Sequence, residues 1–490
     1  MLNTISNFIK NVSYNIIADF SAKLVNALLT IIISRYLGVS TMGSFSTALS
    51  YFGIGLILSY WGFGNLLTRE VARDRKSYSK YFSNFAIIRL VFSVIVVAGL
   101  NILAVNLNYT EQTQQLIKII SFGIFANTLM NLIRFLFIAF EELKYLSAIS
   151  LTVSVIRLIT TFLVLRLTGS IITVAIFYTA TEFIALFIGI AFAAHFLKEF
   201  KLQFDLKFSF QQIVRALPFF WIALMTILDS KMEIVLISFF FNEASVGYYT
   251  AMNTVISGVS LFSEGLRNAV FPIFARYQIE SPEKLGKMLL ILGKYVLFIT
   301  VPIAIGFYFF AEPIVFLLFD SSYTLTVSLF QISIWLFIGY SLNVIVIRML
   351  MVHNQEQKVV FSLLISGALT ILLNVIFAPI WGIVAFSIIR LITVYLLFFL
   401  CYYFLTKLGY HLLTIPILIK IVFSGIAMFL ITYFLTPVNP YLALAAGFIA
   451  FLGLTWLTKV IKIDDIRLWK DIIQHNIKLP NRNSPTSSGS

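Results

Sequence analysis

The chain has 490 residues, 60% of them hydrophobic and 11% charged, with a mean hydropathy of +0.96. That balance excludes a soluble multidomain protein, because so apolar a chain has lipid as its solvent. A net charge of +14 would suggest nucleic acid in a soluble protein, but here most of the excess falls in connections on one side, where it sets topology, and no nucleic-acid partner is expected.

Apolar runs of about 20 residues, the length that crosses a bilayer, occur near 12–36, 43–66, 82–106, 115–140, 146–167, 171–196, 213–240, 246–273, 287–310, 324–352, 359–379, 382–406, 413–436 and 440–461. Met1 to Lys10 show no cleavable leader pattern, and Leu2, Ile5, Ile9 and Val12 line one side of an interfacial helix. In the first span Asn15, Asp19, Lys23 and Asn26 share a face. Asp19 and Lys23 either form an ion pair that joins helices or line a polar chamber. The second span carries Gly53, Gly55, Gly62 and Gly64, which permit close packing or flexing. Arg89, Arg134 and Arg157 follow in the third to fifth spans, and Glu182 in the sixth.

Asp229 and Glu233 stand at i, i+4 in the seventh span with Lys231 between them. Glu264 and Arg267 lie in the eighth, Arg348 in the tenth and Arg390 in the twelfth, while Pro302 interrupts the ninth. Ile466, Trp469, Ile473 and Ile477 form a second interfacial stripe, and the Ser/Pro/Asn-rich end is disordered by composition. A cation at the centre of a spanning helix costs roughly 2.5–3.5 kcal/mol on insertion scales. Several in one chain imply a wet basic chamber for an anionic cargo. Arg89, Arg134 and Arg348 could instead snorkel to an interface, an escape that Lys23 and Arg157 lack at mid-membrane. Guanidinium groups grip phosphate oxygens in pairs of hydrogen bonds, so the cargo is expected to carry phosphate. The acids Asp19, Glu182, Asp229, Glu233 and Glu264 either neutralise these cations or exchange a proton during transport.

Lys and Arg collect in alternate connections, from Arg69–Lys80 to Lys407, and in both terminal segments. This places both termini in the cytoplasm. SRYLGVSTMGSF (Ser34 to Phe45) overlays SFFFNEASVGYY (Ser238 to Tyr249) 204 residues later, and Arg134, Glu142 and Lys144 match Arg348, Glu356 and Lys358 at a separation of 214. The expected fold is therefore all-α and membrane-integral: a six-helix lobe over 1–207, a second over 208–410, two further helices over 411–462 and a cytoplasmic tail over 463–490. Dispersed His195, His353, His411 and His475 suggest no metal, and the chain lacks a G-x-x-x-x-G-K-S/T phosphate loop; no enzyme activity or cofactor is expected. The lone Cys401 excludes a disulfide framework.

SRYLGVSTMGSFSTALS with WGFGNLLTREVARDR (Trp61 to Arg75), Asp229 with VGYYTAMN (Val246 to Asn253) and Phe271-Pro272, and Asn374 with APIWGIVA (Ala378 to Ala385) resemble the Wzx-type polysaccharide flippases. Their superfamily also holds the multidrug and toxin extrusion (MATE) transporters and the lipid II flippases. The resemblance runs over almost the whole chain. It implies inward-to-outward flipping of an undecaprenyl-pyrophosphate-linked oligosaccharide for O-antigen or capsule in the inner membrane, alongside a polymerase and a chain-length regulator. It would place the pyrophosphate among Lys23, Arg89, Arg134, Arg157 and Arg348, with Arg267 and Arg390 as further candidates. Arg390 stands where a polar or acidic residue is expected. An ion-coupled drug exporter should carry more acids than bases in its chamber, and a membrane polymerase or glycosyltransferase should carry a sizeable charged external loop. The chain shows neither.

Overall fold

The computed structural model describes residues 2–107, 109–197 and 200–460, and within them the side chains except those of residues 2–20, 196 and 229. The side chains of Asp19 and Asp229, both amphipathic terminal stripes and the Ser/Pro/Asn-rich end therefore lie outside the described residues. The described chain is helical and without strands. Its first helices are α1 (Leu2–Tyr60), α2 (Phe63–Arg73), α3 (Tyr78–Asn106), α4 (Glu111–Ala139), α5 (Leu143–Thr168) and α6 (Ile171–Phe196). There follow α7 (Leu206–Phe240), α8 (Glu243–Val259), α9 (Leu261–Glu280), α10 (Pro282–Phe309), α11 (Ala311–Leu318) and α12 (Thr324–Ser333). The series ends with α13 (Leu336–Val352), α14 (Glu356–Trp381), α15 (Val384–Lys407), α16 (Ile415–Leu435) and α17 (Pro440–Leu457).

Twelve helical segments among the described residues are long and apolar enough to cross a membrane. Large apolar side chains face outward along them, Ile95, Phe187, Phe399 and Ile449 being each more than 60% exposed. Water would not tolerate such a surface, and lipid does. The protein is a multi-pass membrane protein.

The breaks differ from those hydropathy suggests. The first two expected spans form one 59-residue run with a single non-helical residue, Gly38, at φ 80° and ψ 179°. The second limb ends at Trp61 and Gly62, both with positive φ, before α2 begins. The expected eighth span, 246–273, is two helices that meet at Ser260, where the Ser-Gly-Val-Ser run weakens the helix. Pro302, expected to interrupt a helix, does not: α10 runs through it from Pro282 to Phe309. Lipid offers no solvent for freed backbone groups, so the helix is retained around the proline.

The described chain forms two compact units. The first holds the chain to Val259 with Ala311–Ser333 and Leu363–Thr393; the second holds Ser260–Phe310, Ile334–Ser362 and the chain from Val394. In the first unit, one core is built around Ile33, Phe45, Tyr51, Ile117 and Ile124, where α1 meets α3, α4 and α6. Another joins Phe63, Leu66 and Leu67 of α2 to Phe85 and Leu132. In the second unit Ile305, Met428 and Phe451 close α10 against α16 and α17.

Candidate functional site

Neighbouring helices α5 and α6 each carry one charge into the apolar layer. The Arg157 Nη2 donates to Glu182 Oε1 at 2.6 Å, and its Nε donates to the Thr181 hydroxyl at 2.9 Å. The Arg157 guanidinium also lies over the Tyr178 ring at 4.1 Å, a contact worth about 0.5–2 kcal/mol. The second carboxylate oxygen of Glu182 accepts from Asn127 Nδ2 of α4 at 2.6 Å. Asn127 Oδ1 in turn accepts from the Tyr60 hydroxyl at the end of α1. Arg89 of α3 stacks its guanidinium on the Tyr60 ring at 5.0 Å. Five helices thus supply one continuous polar chain, Arg157–Glu182–Asn127–Tyr60–Arg89.

The two ends of this chain differ. Arg157 has its countercharge, and the pair is nearly sequestered, at 14% and 8% side-chain exposure. Arg89 is fully buried, and its Nη1 donates to the Thr128 carbonyl at 3.1 Å and to Asn131 Oδ1 at 3.2 Å. Its Nε and Nη2 have no hydrogen-bond partner among the described residues. A buried cation with unfilled donors is a costly arrangement unless an anion reaches it.

A second ionic cluster lies in the same unit. Glu233 of α7 accepts from the Tyr249 hydroxyl of α8 at 2.7 Å, and its other oxygen stands 3.8 Å from Arg390 Nε of α15. Around the Arg390 turn, Thr393, Thr370 and Ser366 link α15 to α14, and Asn374 Nδ2 donates to the Thr370 carbonyl at 2.8 Å. Lys231 lies along α7 against Gly53 of α1.

In the second unit, Arg348 of α13 lies over the Phe271 ring of α9 at 5.3 Å and is close enough to Arg267 for their like charges to interact. Glu264 is half-buried one turn before Arg267. Lys23 on α1 and Arg134 on α4 are exposed.

The structure thus brings Arg89, Arg157 and Glu182 into one network and Glu233 and Arg390 into another. Sequence reasoning missed the neutral links: Tyr60, Asn127, Asn131, Tyr178, Thr181 and Tyr249. The i, i+4 pair Asn127 and Asn131 in an apolar helix was the signal available. It also missed Lys294, buried within α10 over Tyr295, whose charge amid an apolar run was visible. Among the described residues no three His, Cys, Asp or Glu side chains gather as a metal site.

At another end of the first unit, hydroxyls line a cavity of 250 Å³ formed by Thr47, Tyr109, Thr110, Ser238 and Glu243 with Leu107, Phe239 and Phe241. Glu243 accepts there from the hydroxyls of Thr110 at 2.8 Å and Thr113 at 3.3 Å.

The sequence pattern of the family described as Polysaccharide biosynthesis protein matches residues 8–278. No curated protein matches the chain. Among solved structures, the fold is similar to "Lipid II flippase MurJ, inward closed conformation", with a TM-score of 0.74 at 16% identity, covering 94% of this chain and 100% of that one. It is also similar to an inward-facing multidrug resistance MATE family transporter of the MOP superfamily, with a TM-score of 0.60 at 15% identity over 79% of this chain and 95% of that one. A Vibrio cholerae MATE transporter gives 0.54 at 14% identity over 82% and 96%.

Proposed function

The chain belongs to the polysaccharide biosynthesis protein family, and from that premise we propose that it flips an undecaprenyl-pyrophosphate-linked oligosaccharide from the cytoplasmic to the outer leaflet of the inner membrane. It works without catalysis, by alternating access, and serves O-antigen or capsule assembly. The observation that carries this reading is Arg89, a fully buried guanidinium with two donor nitrogens unfilled among the described residues. A pyrophosphate brings clustered anionic oxygens that suit such donors, and charge-assisted bonds of this kind are roughly twice as strong as neutral ones. In the first unit Arg157, Arg134 and Lys23 are the further phosphate ligands, with Arg390 held in reserve by Glu233; Arg348 and Arg267 are the basic pair of the second unit.

The chain crosses the membrane fourteen times in this reading. The break at Gly38 divides α1 into two passes, and α8 with α9 make a broken pass. Residues 1–207 and 208–410 are the two moving lobes, and both termini are cytoplasmic. Glu182 and Glu233 balance charge, each against a named arginine. An ion-coupled drug exporter is disfavoured by the excess of bases over acids among the intramembrane groups.

Deleting the gene should make a lipid-linked glycan accumulate on the cytoplasmic side, identifiable by mass spectrometry. Arg89→Ala, and Arg157→Ala combined with Glu182→Gln so that no buried charge is stranded, should reproduce that accumulation at normal membrane levels of the protein. Wild-type export by both variants would exclude the phosphate-binding role.

A further inference from the structure

The two sequence repeats meet each other at their own equivalent residues. Gly43 in the second limb of α1 and Gly247 in α8 occupy matching positions 204 residues apart, as do Val39 and Glu243. In the structure a Cβ at Gly43 would fall into the Glu243 carbonyl, and a Cβ at Gly247 would fall into the Val39 carbonyl. Each glycine thus faces the counterpart of the residue that its twin faces. That reciprocity is the mark of a self-complementary, two-fold contact. Here it is written between two halves of one chain.

A second exchange flanks the first. The Tyr109 hydroxyl bonds the Ser238 hydroxyl at 2.8 Å. Tyr323, which follows Tyr109 by 214 residues, lies beside Ser34, the counterpart of Ser238. The breaks correspond as well: Gly38, where α1 leaves helical geometry, matches Asn242, in the connection between α7 and α8. Arg35, just before that break, donates to the carbonyls of Leu317 at 2.5 Å and Phe319 at 3.3 Å, and so caps the end of α11. The connections at this end are poor in Lys and Arg, which assigns it to the outer side.

We infer that the Gly43–Gly247 seam is the outer gate of the transporter, a backbone-to-backbone closure that parts to release cargo. The inference rests on the alternating-access reading. At the seam itself two bare helix backbones meet without interlocking side chains, and the contact is van der Waals with weak Cα–H···O bonds. The hydrogen bonds beside it, Tyr109 to Ser238, Thr110 and Thr113 to Glu243, and Arg35 to the end of α11, part with it and hold the closed state until they do. Any Cβ on either glycine obstructs the closed state while leaving the parted one untouched, because the clash is with main-chain atoms that cannot rotate away.

Thr47 reports on the seam. It stands one turn after Gly43, is 1% exposed and lines the hydroxyl-rich cavity together with Ser238 and Glu243. In a Cys401→Ala background, Thr47→Cys should react slowly with a membrane-impermeant thiol reagent applied to the outer face. Adding Gly43→Ala, or separately Gly247→Ala, should raise that labelling about tenfold, as a shift of the closed-to-open ratio by that factor would give. Gly99→Ala, where a Cβ meets nothing within 4 Å, should leave labelling unchanged. Unaltered protection of Thr47→Cys in both seam variants would overturn the gate. Loss of both variants from the membrane would overturn it too, since a contact that opens in every cycle cannot be a condition of folding. Because labelling needs no cargo, a failed gate and a misassigned cargo give different results.

Discussion

At the scale of single residues, the Arg157–Glu182 pair shows how the chain tolerates charge in lipid. Arg157 uses the carboxylate, the Thr181 hydroxyl and the Tyr178 ring at once, and Glu182 has both oxygens occupied. Removing one partner leaves a buried charge uncompensated, which typically costs about 3–5 kcal/mol. Glu182→Gln should therefore lower thermal stability in detergent by an amount in that range, and Glu182→Gln with Arg157→Met should recover most of it. A double variant no more stable than the single would show that the stranded Arg157 charge is not what destabilises Glu182→Gln. Tyr249→Phe removes one hydrogen bond from the charged Glu233 and should cost about 1.5–3 kcal/mol, measured the same way. The charged members of these clusters were legible in the sequence, because each ion in an apolar run carries a cost that demands an explanation. Their neutral partners were not. Tyr60, Asn127 and Tyr249 are ordinary in composition and acquire meaning only through contacts between helices that no periodicity encodes.

At the scale of elements, apolar runs disclosed the helices but misplaced the breaks. A hydropathy window averages over some 19 residues and cannot see one residue that leaves helical geometry. Gly38, at φ 80°, is such a residue, and no side chain or backbone atom lies within 4 Å of where its Cβ would be. Gly38→Ala should thus cost only the penalty of a side chain at positive φ with extended ψ, a conformation nearly confined to glycine, about 1–3 kcal/mol, in detergent unfolding. A cost well above that would mean the position also packs. The repeat was legible from short matches, and its first pair holds in space: Ser34, Gly43, Ser238 and Gly247 gather at one end of the first unit. The second pair is looser. The turn after α4 bonds Glu142 N to Phe137 O, and the turn after α13 bonds Gln355 N to Leu350 O. Those turns correspond at a separation of 213, so Arg134 and Arg348 sit one residue out of register. One residue is about 100° around a helix, enough to explain why Arg134 is exposed and Arg348 is half-buried.

At the scale of the whole molecule, the helices supply apolar surfaces to the bilayer, and among the described residues Arg89, Arg157, Glu182, Glu233 and Arg390 are gathered into networks inside. The fold was legible because lipid imposes it: backbone groups without solvent must close on themselves, so a long apolar chain becomes helices. A cargo is not legible from a fold, since one fold hosts many functions; the proposed pyrophosphate cargo rests on the chemistry of Arg89. The most direct test reconstitutes the purified protein in liposomes holding an undecaprenyl-pyrophosphate-linked saccharide and measures its appearance in the opposite leaflet with a membrane-impermeant sugar-binding probe. The wild type should translocate the lipid-linked saccharide, and a lipid-linked saccharide without phosphate should stay where it began. Arg89→Ala should reduce translocation to the protein-free rate. Equal translocation of the phosphate-free lipid, or undiminished translocation by Arg89→Ala, would contradict the assignment of the buried arginines to a pyrophosphate cargo.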